Sequence, residues 1–110
     1  MNKVEQYKIN CKAVYIWKEA LEQLLIEHDE ITPKKLRSCQ AVVYETSDYY
    51  ILQSYNTLIA VIVKENNTLI DMLRREYAFS RTSVQHISKF SHDYTPYPWN
   101  YPVIVWRKLK

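Results

Sequence analysis

The sequence predicts a single α+β domain over residues 1–110. Apolar positions recur at three- and four-residue steps through the first quarter of the chain, and after residue 40 the period switches to short β-branched and aromatic runs. A hydrophobic fraction of 47% in 110 residues suffices for one core, because a domain of this size buries roughly two thirds of the surface its unfolded chain exposes. The expected order is an N-terminal amphipathic helix, a four-stranded antiparallel meander, a second helix and a C-terminal strand.

The first helix rests on Tyr7, Cys11, Val14, Trp17, Leu21, Leu24, Leu25 and His28, with Lys18, Glu19, Glu22 and Gln23 between them. It runs to residue 28, starting either at residue 3, with Asn2 and Glu5 as a capping-box variant, or afresh near Asn10. Trp17, Leu21 and Leu24 are its expected packing residues. Tyr15, Ile16 and Ile26 widen its apolar face beyond what one sheet contact needs, leaving surplus for self-association or a partner. Thr32 and Pro33 read as an N-cap and first helical residue, predicting a helical turn through Arg37.

Residues 41–44, 49–54, 57–63 and 68–72 are the four strands, separated by polar pauses at 45–48, at Asn56 and at 65–67. Residues 58–63 are apolar at every position, which predicts a central strand covered on both faces. Thr82 with Gln85 reads as a capping box opening the second helix, whose buried face carries Ser83, Ile87, Phe90 and Tyr94. That helix stops before Pro96, and residues 103–106 form the last strand.

The chain has no glycine, where average usage of about 7% gives roughly eight. Phosphate-cradling loops, dinucleotide fingerprints, nucleophile elbows and EF-hand turns all need glycine's backbone freedom, so the expectation is a protein that is not an enzyme and has no cofactor. Turns must use Asn, Asp and Pro instead. No apolar run spans a bilayer, the longest being residues 58–63. The first residues lack a secretory h-region, so a cytoplasmic protein with Cys11 and Cys39 as free thiols is expected. Cys11, on the apolar stripe, is expected to be buried. Cys11, Cys39, His28, His86 and His92 show no paired zinc spacing, and His86 and His92 stand about 240° apart on one helix; no metal site is assigned.

Charge is uneven. Residues 1–30 hold six acids against four lysines, and residues 31–110 hold eleven bases against six acids. Lys34, Lys35, Arg37, Arg74, Arg75, Arg81, Lys89, Arg107, Lys108 and Lys110 are interleaved with Tyr77, Phe79 and the Tyr97, Trp99, Tyr101 tail, a mixture able to neutralise phosphates and stack bases. Aromatic and arginine side chains also dominate protein interfaces. The candidate partner-binding residues are therefore Arg74, Arg75, Tyr97, Trp99, Tyr101 and Arg107. The acids around His28 lie at the unfavourable end of a helix dipole.

Two segments carry a resemblance. Ser54, Tyr55, Thr57, Ile59 and Ala60, followed by Thr82, Ser83, His86, Ile87, Lys89, Phe90, Asp93 and Tyr94, resemble a family of short proteins encoded by phages, prophages and mobile elements of Firmicutes, over roughly residues 41–94. Relatives tend to carry Gly within the segment Tyr77, Ala78, Phe79, Ser80, and Arg where His92 stands. Ser54, Tyr55, Thr57, Thr82 and His86 form the structural motif, with a buried His86 bonded to the hairpin at Tyr55 and Asn56. The resemblance implies a host protein as partner, a CRISPR effector nuclease in particular, inhibited by non-catalytic occlusion. The alternative is a nucleic-acid-binding phage regulatory or accessory protein. Either is expected as a monomer or weak homodimer.

Overall fold

The computed structural model describes residues 2–76 and 81–109; Tyr77, Phe79 and the local turn around them lie outside the described residues. The fold is α+β, with a six-stranded sheet that holds the four expected meander strands and the C-terminal strand and adds one strand before them. Helix α1 (Lys3–Glu27) is continuous, and its N-cap Asn2 accepts from the Glu5 amide at 2.8 Å, so the chain does not restart helix at Asn10. A single 3-10 turn (His28–Glu30) extends it.

Residues 32–37, expected as helix, instead form strand β1 (Lys34–Lys35). The Thr-Pro signal is local, whereas β1 pairs antiparallel with Val42 and Val43 of β2 (Ala41–Glu45), and that pairing buries Leu36 to 1% exposure. Strands β3 (Tyr49–Ser54), β4 (Thr57–Val63) and β5 (Thr68–Asp71) complete an antiparallel meander. Two short helices, α2 (Leu73–Glu76) and α3 (Arg81–Tyr94), lie between β5 and β6 (Val103–Val105). Strand β6 joins the sheet parallel to β5, as a strand reached through intervening helices can. The sheet order is β1-β2-β3-β4-β5-β6. Thr82 lies within α3 and does not precede it as an N-cap.

Helix α3 packs on one face of the sheet and α1 on the other, so β4 is covered on both. A bulge between β3 and β4 at Leu52 and Gln53 turns Ile59 and Ala60 to the same face. There they join Leu52, Ile62, Ile87 and Phe90 in one core; Val61, Ile51, Ile70 and Met72 meet Ala13, Trp17 and Ala20 in the other. The buried face of α1 is therefore Asn10, Ala13, Trp17 and Ala20, with Leu21 and Leu24 at its margin. Two alanines let the helix axis approach the sheet; Trp17, Leu21 and Leu24 pack there as expected, while the rest of the stripe read from the sequence lies farther out. Cys11 is consequently exposed, not buried, and Tyr7, Tyr15 and Leu25 are exposed too. Without glycine, positive φ falls on Arg37 (52°), Tyr55 (54°) and Asn67 (58°), of which only Asn tolerates that region readily.

Candidate interaction surfaces

The two halves of the resemblance motif meet under the hairpin that joins β3 to β4. Ser54 Oγ lies 2.7 Å from His86 Nδ1 and 3.1 Å from Ser83 Oγ, and all three residues are at most 2% exposed. Thr57 opens β4 opposite Ser54, and the Tyr55 ring lies 5.7 Å from the imidazole. Burial holds the His86 pKa below its ordinary value, with Lys89 acting in the same direction. A hydroxyl against an imidazole is also the pairing of nucleophile and base. Here the hydroxyl faces a second buried serine, and neither Ser54 nor His86 lines the groove described below. The arrangement ties α3 to the hairpin.

The aromatic tail gathers at the C-terminal end of α3. Trp99 stacks on His92 at 3.9 Å between centroids and 23° between planes, and its Nε1 donates to the His92 carbonyl at 2.8 Å. Tyr97, which precedes a cis peptide bond to Pro98, meets Trp99 edge-on at 5.1 Å. Tyr97 is 79% and Trp99 45% exposed. Beside them Arg37 makes a bidentate pair with Asp93, at 2.8 and 2.6 Å, which holds the Asp93 carboxyl below its usual range. Tyr101 differs from its neighbours: its ring packs against the α3-side core and its hydroxyl donates to Ser91 Oγ at 2.7 Å.

Arg74, Arg75 and Arg107 lie elsewhere. Because β6 runs parallel to β5, the aromatic tail sits at the start of this pair of strands, whereas α2 and Arg107 follow its end. Arg74 and Arg107 both act on Asp71, whose carboxyl is raised by burial; the Leu73 amide and the two arginines oppose that rise. Arg75 is ion-paired with Glu76. The six residues grouped from the sequence thus fall into an aromatic platform, a core tyrosine and a separate basic end.

A groove of about 580 Å³ runs along α1, lined by Tyr7, Cys11, Val14 and Tyr15 with Trp106 and Leu109 opposite; its charged lining residues are Lys18 and Lys108. Asn10 builds its floor. The side-chain amide accepts from the Arg107 amide at 3.0 Å and donates to the Arg107 carbonyl at 2.7 Å, pairing with the chain as a neighbouring strand would. Gln6 donates to the Val105 carbonyl at 3.2 Å. Sequence reasoning missed Asn10, although one signal was present: a polar residue at helical spacing from Ala13, Trp17 and Ala20.

Among the described residues no cluster of three or more His, Cys, Asp or Glu is placed to hold a metal ion, and no helix is long and apolar enough to cross a membrane. No curated protein and no solved structure matches the chain. The model of a family of unknown function (DUF8033) matches residues 21–96, from the last two turns of α1 through strands β1–β5 to just past the end of α3, and the chain belongs to that family.

Proposed function

We propose that the protein is a non-catalytic binding protein whose contact surface is the aromatic platform at the end of α3, and that its target is a host defence effector, a CRISPR nuclease. The observation that carries the binding role is the fixed geometry of Trp99. Its ring is stacked on His92 and its Nε1 is hydrogen-bonded to the His92 carbonyl, yet nearly half of it faces solvent, with Tyr97 more open still. A preorganised aromatic pair with an adjacent guanidinium is the composition of interface hot spots, where truncating one residue commonly costs about 2 kcal/mol or more. The choice of target rests on the resemblance to mobile-element proteins. A net charge of +3 speaks against mimicry of a nucleic acid and for occlusion by shape.

The test is plasmid interference in cells carrying an active CRISPR nuclease. The chain is expected to protect the plasmid and to co-elute with the nuclease, and a Tyr97→Ala/Trp99→Ala chain to do neither. Unimpaired interference in the presence of the folded chain overturns the choice of target.

A nucleic-acid role has one observation in its favour, since an open Tyr97 and Trp99 pair also suits base stacking. Against it, Arg37 is paired with Asp93, and Arg74, Arg75 and Arg107 lie at the far end of the β5–β6 pair. Phosphate contacts make affinity fall steeply with salt. Absence of binding to single-stranded or duplex DNA and RNA at low salt eliminates this reading.

A further inference from the structure

We infer that the exposed side of α1 is a self-association surface that pairs two copies of the chain with their helices antiparallel. Three observations carry this. First, α1 carries a seven-residue repeat that borders its sheet-facing side: Val4, Cys11, Lys18 and Leu25 occupy one exposed position, with Tyr7, Val14 and Leu21 three residues after the first three, Val14 and Leu21 being half-buried at the margin of the sheet contact. This is the pattern of a two-helix seam, and a single Lys in it fixes register at some cost in stability. It is also open: Val4, Tyr7 and Leu25 are 64%, 58% and 71% exposed.

Second, the two ends of the helix are complementary in shape. The N-terminal half forms one wall of the apolar groove, and the C-terminal half presents Leu25 as a protruding apolar side chain. Third, they are complementary in charge. Residues 3–12 carry Lys3, Lys8 and Lys12 against Glu5, while residues 19–30 carry Glu19, Glu22, Glu27, Asp29 and Glu30 with no Lys or Arg.

Antiparallel pairing satisfies all three. Leu25 of the second copy lies against Tyr7, Leu21 against Cys11, and Glu22 faces Lys8; the two-fold axis repeats each contact, so the assembly closes as a dimer. Parallel pairing instead sets basic end on basic end and acidic end on acidic end, and brings Cys11 against Cys11. In the antiparallel dimer the two Cys11 positions are ten residues apart along the seam, about 15 Å, beyond the reach of a disulfide.

Sedimentation velocity over a concentration series, with charge reversals at two exposed positions, tests the inference. The wild-type chain is expected to dimerise reversibly. Lys8→Glu and Glu22→Lys alone should each weaken the dimer roughly tenfold, since two attractive pairs become repulsive. Mixing the two variants should restore the dimer, because every Glu then faces a Lys. Circular dichroism of each variant verifies folding. A chain that stays monomeric up to its solubility limit overturns the proposal, as does a dimer indifferent to both reversals, or rapid Cys11 to Cys11 cross-linking on mild oxidation.

Discussion

The α3 face and the α1 face of the sheet are sealed differently. On the α3 face, large side chains such as Phe90, Leu52 and Ile62 interlock, and a buried polar link of Ser54, Ser83 and His86 fixes helix to hairpin. On the α1 face the helix fully buries only Ala13, Ala20 and Trp17, with Leu21 and Leu24 half-buried at the margin, and its polar link, Asn10, goes to the backbone beyond β6. The closed face falls inside the stretch matched by the family and holds most of the resemblance motif. All the residues lining the groove, 7–18 and 106–109, lie outside residues 21–96. The matched stretch builds the packed scaffold, and the segments flanking it carry the apolar groove.

If the α3 face is the interlocked one, Phe90→Ala should be the most damaging single change. The side chain is fully buried, and truncations of this kind cost about 3–5 kcal/mol. Urea denaturation gives the value; a loss under about 1 kcal/mol would mean that the face is loosely packed.

Next in size is Ser54→Ala. It removes the hydroxyl partner of buried His86, and an unsatisfied buried polar group costs about 1–3 kcal/mol. The same residue sets a pH dependence. Burial lowers the folded pKa of His86 below the unfolded value of about 6.5, so below that pH the unfolded chain takes up a proton that the native state refuses. Stability is therefore full above neutrality and declines as pH falls toward the folded pKa. Melting curves between pH 8 and 5 should show this decline in the wild type, and His86→Gln should flatten it.

The smallest and most local effect is expected from Asn10→Ala. Two hydrogen bonds to Arg107 are lost, at about 1 kcal/mol each, from a segment that packs on the sheet only at its edge. Amide exchange should accelerate at residues 103–107 and remain unchanged in β3 and β4. Uniform acceleration would mean that the α1 face is as integral to the fold as the α3 face.

The middle of the sheet was legible because alternation and turn chemistry agree there. Runs 49–54 and 57–63, separated by Tyr55 and Asn56, coincide with β3 and β4. Elements whose identity depends on a distant partner were not. Lys34 and Lys35 have no strand pattern of their own and are strand only because Val42 and Val43 offer an edge, so the adjacent Thr-Pro signal misled. The face of α1 was legible only in part: Trp17, Leu21 and Leu24 pack on the sheet as expected, but hydrophobicity also favours Tyr7, Cys11 and Leu25, whereas close approach to the sheet selects Ala13 and Ala20. At the candidate surface, sequence proximity put Tyr97, Trp99 and Tyr101 together. Their fates diverge because only Tyr101 reaches Ser91 and the core.

That divergence supplies the most direct measurement: melting temperature and capture of the CRISPR nuclease, side by side, for Tyr97→Ala, Trp99→Ala and Tyr101→Ala. The account predicts that Tyr97→Ala and Trp99→Ala lose capture with the melting temperature nearly unchanged, while Tyr101→Ala melts earlier and still captures the nuclease at temperatures where it is folded. Retained capture by both Tyr97→Ala and Trp99→Ala would contradict the assignment of the aromatic platform as the contact surface.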